Sequence, residues 1–412
     1  MVVLNDRDED LNGEHYECKI TDGSSVRSRF MKEMFDRGFI YQCSNVEALD
    51  NYLCAKGSEA VGYCGFDMTA RSLHVGNLLM IMILKWFEIC GHKSIILLGG
   101  ATTKIGDPSY RKDARPILSD EEIYENMRSI SSIFSRFFEN PQIVNNLDWF
   151  EDVKYIDMLR NIGTCFSINK MVNIDIVRQK LSNNLNLSFL EFNYLVMQSY
   201  DFLHLYESVN CAVQFGGSDQ WANIIHGADL VRRKIGGMAF GLTANLITNS
   251  NGDKMGKTAN GAIWLNPEMK SPYDYWQFWR DCSDDDVFKF LRLYTFLPIE
   301  EIKKMESLTG SDINQAKIRL ANEATKILHG EDAISGDMAF TATVFMQNRM
   351  SLVEILRKSE VVSSNTEAKN LIKSGAIKID GAQVFDDSNL DKFSENFVIN
   401  VGKNKRILVK IL

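Results

Sequence analysis

The chain has 412 residues, of which 45% are hydrophobic and 24% are charged, and its formal net charge is −8. The length predicts two or three domains with a large hydrophobic core. The negative net charge argues against a protein that nucleic acid surrounds on all sides. A local basic face is still compatible with it, because salt at physiological strength screens charges beyond roughly 8 Å.

The first 29 residues are predicted to form an N-terminal arm. Residues 1–17 are polar and acid-rich and include no apolar signal core. No uninterrupted apolar run in the chain reaches the ~18 residues that a membrane-spanning helix requires. The eight cysteines form no Cys-x-x-Cys pair, and the six histidines show no metal-ligand spacing. We therefore expect a cytoplasmic protein with no membrane contact and no metal held by protein ligands.

Residues 30–53 carry apolar side chains at helical spacing and predict two helices. Residues 62–98 then predict a strand, a helix that begins near His74, and a second strand. Such a unit implies a parallel sheet, in which ligands bind beyond the carboxyl ends of the strands. His74 and Asn77 stand at the helix N-terminus, where free N–H groups attract phosphate.

A glycine-rich loop at 99–109 follows the second strand, so its backbone can approach a ligand closely. Asp107 in this loop has two possible roles, a turn residue before proline or a carboxylate for a substrate ammonium group. Arg111 and Arg115 follow it and could lie near phosphate. The loop is not a P-loop, because it lacks the required Gly-Lys-Ser/Thr ending.

A helix is predicted over 188–202, and Tyr194, Gln198 and Asp201 lie on one of its faces at positions i, i+4 and i+7. A polar stripe usually faces solvent. Here the neighbouring residues are apolar on almost every side, which indicates a buried helix. Buried Gln and Asp side chains need partners. We therefore interpret the stripe as part of a functional site.

Two further loops have the composition of ligand-binding segments. Strand 211–215 ends in two glycines, followed by Asp219 and Gln220 at a helix start, although Asp219 could also serve as a helix N-cap. The polar loop 248–258 contains two lysines three residues apart that could clamp a polyphosphate. A solvated turn is the simpler interpretation of such lysines taken alone.

The rest of the chain is predicted to form two more units. Residues 263–335 are mainly helical, and the pattern breaks near 330–336. Residues 351–412 predict two short helices followed by three strands, with several lysines among them. Clustered cations of this kind are what an RNA contact would require.

Three motifs occur in the order found in class I aminoacyl-tRNA synthetases. They are His-Val-Gly-Asn at 74–77, Gly-Gly-Ser-Asp-Gln-Trp at 216–221 and Lys-Met-Gly-Lys-Thr at 254–258. Together with Tyr-Cys-Gly-Phe-Asp at 63–67 and the polar face of helix 188–202, they make the chain resemble the bacterial-type tyrosyl-tRNA synthetases. The resemblance covers nearly the whole chain after the arm.

This resemblance implies an α/β fold, with a Rossmann-like parallel-sheet catalytic domain, an α-helical domain and a small α+β domain similar to ribosomal protein S4. The implied boundaries are 1–29 for the arm, 30–247 for the catalytic domain with a helical insertion, 248–262 for a mobile Lys-Met-Gly-Lys-Thr loop, 263–335 for the α-helical anticodon-binding domain, 336–350 for a linker and 351–412 for the S4-like RNA-binding domain.

The implied function is that of a tyrosine–tRNA ligase. Such an enzyme would activate L-tyrosine with ATP and Mg²⁺ to tyrosyl-adenylate and pyrophosphate, and would then transfer tyrosine to the 3′ end of tRNA(Tyr). No covalent enzyme intermediate is needed, so catalysis would depend on positioning and charge neutralisation. A homodimer is implied by the family alone.

The resemblance also implies roles for individual residues. The tyrosine-binding residues would be Tyr63, Gly65, Asp67, Asp107, Tyr194, Gln198 and Asp201. The residues acting on the ATP phosphates and the reacting carboxyl group would be Thr69, His74, Asn77, Arg111, Arg115, Gln220, Lys254, Lys257 and Thr258. The residues near the ATP ribose and backbone would be Cys64, Gly76, Gly217, Asp219 and, again, Lys257.

The chain departs from the usual family pattern at a few positions. Met68 stands where proline is expected, which would loosen the turn before Thr69. Asn77 replaces a histidine but can still donate a hydrogen bond. Gly256 and Thr258 replace serines of the lysine loop.

Two alternatives to this function are open. The related tryptophanyl-tRNA synthetases share the fold, but Tyr63 and Asp201 favour tyrosine. A non-catalytic RNA-binding derivative is disfavoured because His74, Lys254 and Lys257 are all retained.

Overall fold

The computed structural model describes residues 23, 25–107, 118–247, 255, 257–258, 261–334, 342–346, 350–386, 397–402 and 405–411. The chain divides into two compact units. The first unit comprises residues 1–269 and 283–316, and the second comprises 270–282 and 317–412.

Strands and helices alternate along most of the first unit. In chain order the strands are Ile40–Cys43 (β1), Val61–Phe66 (β2), Lys93–Leu98 (β3), Gln142–Asn145 (β4), Cys211–Gly217 (β5), Phe240–Ala244 (β6), Lys257–Thr258 (β7), Gly261–Ala262 (β8), Ala342–Met346 (β9), Ile377–Ile379 (β10), Ala382–Val384 (β11), Phe397–Val401 (β12) and Lys405–Ile411 (β13). The helices are Arg29–Arg37 (α1), Val46–Lys56 (α2), Val75–Ile89 (α3), Gly100–Ile105 (α4), Asp120–Phe137 (α5), Leu147–Phe150 (α6), Tyr155–Asn161 (α7), Ile168–Met171 (α8), Asp175–Ser182 (α9), Phe189–Val209 (α10), Trp221–Ile235 (α11), Pro272–Arg280 (α12), Val287–Tyr294 (α13), Ile299–Met305 (α14), Ile313–His329 (α15), Leu352–Lys358 (α16) and Asn365–Lys373 (α17).

A six-stranded sheet forms the centre of the first unit, in the order β1-β6-β5-β2-β3-β4. All neighbouring strands are parallel except β1, which pairs antiparallel with β6. The strand–helix–strand prediction for 62–98 is confirmed, since β2 and β3 pair in parallel on either side of α3. Both strands are buried along most of their length, as expected for central strands of a parallel sheet.

Helix α10 is the long buried helix predicted at 188–202. Ser188 caps its N-terminus and forms a capping box with Glu191, and Asn210 ends it in the left-handed conformation. Tyr194 and Asp201 are buried, as the apolar surroundings predicted. The helix therefore carries its polar stripe inside the protein.

The first unit differs from prediction at its start and at its end. Residues 30–53 form α1 and α2 as predicted, but β1 lies between them and pairs with β6 about 200 residues later. The region predicted to begin a separate helical domain at residue 263 is divided between the two units. Arg37 shows why α13 belongs to the first unit, because its guanidinium donates to the carbonyls of Arg292, Thr295 and Leu297 at the end of that helix.

The second unit contains a five-stranded sheet in the order β11-β10-β12-β13-β9. The two helices and three strands predicted for 351–412 are present as α16, α17, β10, β12 and β13. The range 336–350, predicted as a linker, contains β9, which pairs in parallel with β13. Alternate residues of β10, β12 and β13 enter one apolar core with α16 and α17. In the part of the chain that the structure describes, no helix has both the length and the apolar character needed to cross a membrane.

Candidate active site

The polar residues predicted from four separate segments meet beyond the carboxyl ends of the parallel strands. Asp67 follows β2, Asp107 follows the helix after β3, and Asp219 follows β5. Helix α10 joins this group directly, because Tyr194 Oη donates to Asp67 Oδ2 at 3.1 Å. The strand edge is thus a polar site, as the topology of a parallel sheet predicts.

One end of the site is built around the buried carboxylate of Asp201. Asn146 Nδ2 donates to one of its oxygens at 3.1 Å, and Trp149 Nε1 donates to the other at 2.9 Å. Asn146 stands directly after β4 and Trp149 lies in the single turn of α6. Asp201 is only 2% exposed. The two donors fix the plane of the carboxylate.

Tyr63 lies close enough to Asp201 for that charge to act on it. Burial, and to a lesser degree Asp201, raises the pKa of the Tyr63 phenol well above its usual value, so it is a neutral donor. Its ring packs edge-to-face on Phe202, with centroids 5.4 Å apart. Among the described residues, its buried hydroxyl has no hydrogen-bond partner. A buried hydroxyl is normally satisfied, so this one is arranged for a ligand.

Burial also raises the pKa of Asp201, to about 8, although the hydrogen bonds from Asn146 and Trp149 oppose the rise. The negative charge of Asp67 adds a smaller increase. A carboxyl group with this pKa changes its ionisation near neutral pH, so small changes in its environment control whether it accepts or donates a hydrogen bond.

A second carboxylate, Asp67, forms the middle of the site. Thr102 Oγ1 donates to Asp67 Oδ1 at 2.9 Å, while Tyr194 holds the other oxygen. Asn146 Nδ2 also donates to Thr102 Oγ1, at 3.2 Å. A continuous chain of hydrogen bonds therefore connects Asp67 with Asp201.

Gln220 connects the loops after β3 and β5. Its Nε2 donates to Asp107 at 2.8 Å and to Asp219 at 3.0 Å. Asn223 Nδ2 donates to the Oε1 atoms of both Gln220 and Gln198, each at 3.0 Å. The predicted residues Asp107, Gln198, Asp219 and Gln220 thus form one network, with Asn223 as its connecting member.

The start of α3 carries His74 and Asn77, as predicted. His74 Nδ1 accepts the Gly76 backbone N–H at 3.0 Å, and Asn77 Oδ1 accepts the His74 N–H at 3.1 Å. Because Nδ1 accepts, the proton of the neutral imidazole lies on Nε2. The side chain of Asn77 accepts through its oxygen, so its amide nitrogen supplies its donors. Two N–H donors therefore belong to this helix start.

Glycine is required at position 76. A Cβ there would lie 2.7 Å from the His74 ring and 3.1 Å from the carbonyl oxygen of Met255. Met255 belongs to the Lys-Met-Gly-Lys-Thr motif, and its own N–H donates to the Ile247 carbonyl at 2.8 Å. The two signature motifs therefore touch through their backbones.

The prediction that Met68 loosens the turn before Thr69 is wrong. The Met68 N–H donates to Thr103 Oγ1 at 2.8 Å, and its carbonyl accepts from Asn126 Nδ2 at 2.9 Å. The Met68 side chain is fully buried. A proline could not donate the first of these bonds, so methionine is anchored here in a way that proline would not be.

The remaining predicted residues occupy varied positions. Gly65 and Thr69 are exposed at the strand edge, and Gly217 ends β5, where a Cβ would lie 2.4 Å from Asp219 Oδ1. The thiol of Cys64 is buried and lies near the Gly65 carbonyl at 3.8 Å. Burial raises its pKa, and the charge of Asp219 raises it further. Its ribose contact stays a prediction.

Some predicted phosphate-binding residues cannot be assigned a position. Arg111, Arg115 and Lys254 lie outside the described residues. For Lys257 and Thr258 the structure describes the backbone, which pairs antiparallel with Ala262 and Gly261. Their proposed action on phosphate is therefore not tested by the geometry.

Sequence reasoning missed several members of the site. They are Thr102, Asn146, Trp149, Asn223 and Gln214. Gln214 lies beside Tyr63 in the register of β5 and β2, and its buried Oε1 has no partner among the described residues. A glutamine inside an otherwise apolar strand was the one visible signal, because central strands rarely contain polar residues.

Residues 56–346 match the family model for class I tRNA synthetases (W and Y). The chain is 41% identical to a tyrosine–tRNA ligase of Paracoccus denitrificans, a match that covers 94% of this chain and 99% of the relative. A tyrosine–tRNA ligase of Roseobacter denitrificans is 45% identical, with coverage of 86% and 91%. Among solved structures, a C-terminally truncated mitochondrial tyrosyl-tRNA synthetase of Aspergillus nidulans matches with a TM-score of 0.66 and 30% identity, covering 74% of this chain and 91% of that one.

The chain belongs to the tyrosyl-tRNA synthetase family. Its α/β fold and its function as a tyrosine–tRNA ligase, both predicted from the motifs, are thereby confirmed. The family model covers synthetases for tryptophan as well as tyrosine. The relatives that match over nearly the full length distinguish the two, and they carry the tyrosine name.

Proposed function

We propose that the first unit of this tyrosyl-tRNA synthetase binds L-tyrosine along the strand edge and activates it with ATP. The phenol hydroxyl of the substrate would donate to Asp201 and accept from Tyr63. The observation that carries this proposal is the buried Tyr63 hydroxyl, which has no partner among the described residues. Leaving a buried hydroxyl unsatisfied costs free energy, and a substrate phenol would remove that cost.

The ammonium group of tyrosine would lie at the other end of the network. Asp67 and Asp107 supply negative charge there, and Tyr194 and Gln198 supply acceptor oxygens. The carboxylate of the substrate would then point toward Gln220, whose amide lies between Asp107 and Asp219. Tyrosine would thus span the site from Asp201 to the start of α3.

Activation joins the tyrosine carboxylate to the α-phosphate of ATP. A carboxylate oxygen forms the new P–O bond, the bond to the β,γ-bridge breaks, and pyrophosphate leaves. His74 Nε2 and Asn77 Nδ2, with the N-terminus of α3, would stabilise charge on the phosphates. Thr69, Arg111, Arg115, Lys254, Lys257 and Thr258 are proposed to complete the phosphate contacts. The substrate is MgATP, in which phosphates and water supply the Mg²⁺ ligands.

The second step would transfer tyrosine to tRNA(Tyr). Lysines and arginine project from the second unit at exposed positions, which supports an RNA contact there. These are Lys358, Lys369, Lys373, Lys378, Lys405 and Arg406. We propose that this S4-like unit binds tRNA and that the helices within 263–335 contribute to anticodon binding.

The test of the activation step is pyrophosphate–ATP exchange with tyrosine, phenylalanine and tryptophan supplied separately. Exchange that depends on tyrosine, and is far weaker with the other two, is the expected result. Equal exchange with tryptophan would contradict the assignment of Tyr63 and Asp201 to a phenol hydroxyl. No exchange from folded protein would overturn the activation step itself.

The pKa of Asp201 makes tyrosine binding depend on pH. If the phenol donates to the carboxylate, the ionised form binds, and it becomes populated as the pH approaches about 8. We expect KM for tyrosine to fall roughly three- to tenfold between pH 6.5 and 7.5 and to level off above pH 8. KM for phenylalanine, measured in parallel, should stay nearly constant. A tyrosine KM that rises over this range would contradict the proposed hydrogen bond.

The same pKa has a consequence for folding. Its folded value lies above the unfolded value near 3.9, so the contribution of Asp201 to stability is greatest below pH 4 and is lost as the pH rises toward 8. The site therefore keeps a carboxylate that is unfavourable for the free protein, which is expected of a group retained for binding.

We also propose that the synthetase is a homodimer. Apolar side chains that are strongly exposed concentrate on α7, α8, α9 and the first turn of α10, which follow one another in the chain. They are Tyr155, Ile156, Leu159, Ile168, Leu181, Leu185, Phe189 and Leu190. Exposed apolar clusters of this kind mark protein interfaces, and a second copy of the chain is the partner that the family implies.

Replacing Ile156 and Phe189 together with glutamate is expected to convert the dimer into monomers, because two charges would be buried in an apolar interface. Sedimentation velocity across a concentration series measures the change. Tyr124→Glu, at an equally exposed aromatic residue on α5, is the control and should leave the dimer intact. A double variant that sediments as the unmodified protein does would argue against this interface.

The cytoplasm is the proposed location. No disulfide bond joins the cysteines that the structure describes, which include the buried Cys64 and Cys211. Reduced cysteines are typical of that compartment.

A further inference from the structure

The indole that holds Asp201 lies against a histidine. Trp149 donates from Nε1 to Asp201 Oδ1 at 2.9 Å. Its ring stacks on the imidazole of His204, with centroids 4.4 Å apart and planes 19° from parallel. His204 lies three residues after Asp201 on α10, so the two side chains are neighbours on the helix surface. One helix therefore presents both an acceptor for the indole N–H and a flat surface for the indole ring.

Trp149 needs such a support. It belongs to α6, a helix of only four residues with no side-chain cap. The indole is partly buried and packs against a core cluster that includes Tyr63 and Phe202. A stacked aromatic partner sets the plane of the ring, and the plane of the ring sets the direction of Nε1–H. The alignment of the hydrogen bond to Asp201 thus depends on His204.

We propose that His204 is a positioning residue for substrate specificity. By stacking on Trp149 it keeps the indole N–H directed at Asp201, and Asp201 then presents a fixed oxygen to the hydroxyl of tyrosine. This inference rests on the proposed assignment of Asp201 to that hydroxyl. His204 acts through Trp149, not by touching the substrate.

The environment of His204 is consistent with a stacking role. Burial lowers the pKa of the imidazole, with Glu207 opposing the change, so the ring is neutral near pH 7.5. The ring of Tyr200, one turn earlier on α10, lies 6.4 Å away at an angle of 44°. A neutral aromatic ring at position 204 should therefore do what the imidazole does.

The experiment compares His204→Ala with His204→Phe in pyrophosphate exchange. The alanine variant should raise KM for tyrosine about three- to tenfold, with kcat and KM for ATP nearly unchanged. The ratio of kcat/KM for tyrosine to that for phenylalanine should fall by the same factor. The phenylalanine variant keeps a flat ring and should restore both values.

His226→Ala is the matched control. His226, on α11, also stacks on an aromatic ring, that of Phe166, with planes 7° apart. Its loss should leave the tyrosine-to-phenylalanine ratio unchanged. The proposal is overturned if His204→Ala gives the same ratio as His226→Ala, or if His204→Phe lowers the ratio as much as alanine does.

Asp201→Asn separates failure of this inference from failure of the underlying assignment. If Asp201→Asn lowers the ratio and His204→Ala does not, only the positioning role of His204 is rejected. If Asp201→Asn also leaves the ratio unchanged, the assignment of Asp201 to the tyrosine hydroxyl is wrong, and the role of His204 is rejected with it.

Discussion

Replacing Asp201 with asparagine is expected to lower kcat/KM for tyrosine about 10²–10³-fold and to change kcat/KM for phenylalanine only slightly. The carboxylate offers oxygens to Asn146, to Trp149 and to the substrate. Asparagine has one oxygen and one NH₂ group, so one of the two protein donors would face another donor. Both the hydrogen bond to the phenol and the orientation of the side chain would be lost. Pyrophosphate exchange with each amino acid measures the effect.

Asp50→Asn is the control for a general effect of losing a buried carboxylate. Asp50 is also buried, at 4% exposure, and accepts the backbone N–H groups of Arg27 and Ser28 far from the site in the chain. Its loss should lower the melting temperature without changing the tyrosine-to-phenylalanine ratio. Equal losses for both amino acids in Asp201→Asn would contradict the account.

The expected size of this discrimination has a physical origin. A site built to hydrogen-bond a hydroxyl leaves its buried polar groups unsatisfied when an analogue without the hydroxyl enters. Tyrosyl-tRNA synthetases are themselves the standard example, with rejection of phenylalanine by about 10⁵ and no editing step. Here the groups left unsatisfied would be Tyr63 and Asp201.

Replacing His74 with alanine is expected to slow tyrosyl-adenylate formation about 10²–10³-fold, the usual cost of removing one donor to a developing charge. The same change removes the N-cap of α3, which costs about 1 kcal/mol of stability. Single-turnover formation of the adenylate measures the rate, and thermal unfolding measures the stability. Tyrosine affinity should be nearly unchanged, because His74 lies at the phosphate end of the site.

His74→Asp separates the two roles of this histidine. Aspartate can accept the Gly76 N–H as a cap but has no N–H to donate to phosphate. It should recover the stability that alanine loses while reacting as slowly as alanine or more slowly. A rate that recovers together with the stability would indicate that His74 acts only through the helix start.

The parts of the site that could be predicted from sequence are those carried by regular elements. The i, i+4, i+7 stripe on α10 has a fixed geometry once the helix exists, and it placed Tyr194 and Asp201 correctly in the interior. The alternation of strand and helix at 62–98 likewise defined the strand edge. Both patterns are local, so they survive without knowledge of the fold.

The missed residues come from contacts between distant segments. Asn146 and Trp149 follow a four-residue strand and lie in a one-turn helix, and each meets Asp201 more than 50 residues later. Such short elements contain too few residues for periodicity to reveal. Strand β9 was missed for the same reason, because only its pairing with β13 shows that it is a strand.

The departure at Met68 illustrates a further limit. The family pattern indicated that methionine in place of proline would weaken the turn. The structure compensates with a hydrogen bond from the Met68 N–H to Thr103 and another from Asn126 to the Met68 carbonyl. A substitution within a motif could therefore be judged only with its neighbours in view.

The measurement that tests the central claim most directly is a crystal structure of the protein with L-tyrosine bound. The account predicts that the phenol oxygen lies within hydrogen-bond distance of both Tyr63 Oη and Asp201, with Asn146 and Trp149 still donating to Asp201. The ammonium group should contact Asp107, Tyr194 and Gln198. A tyrosine bound in the reverse direction, or with its hydroxyl away from Asp201, would contradict it.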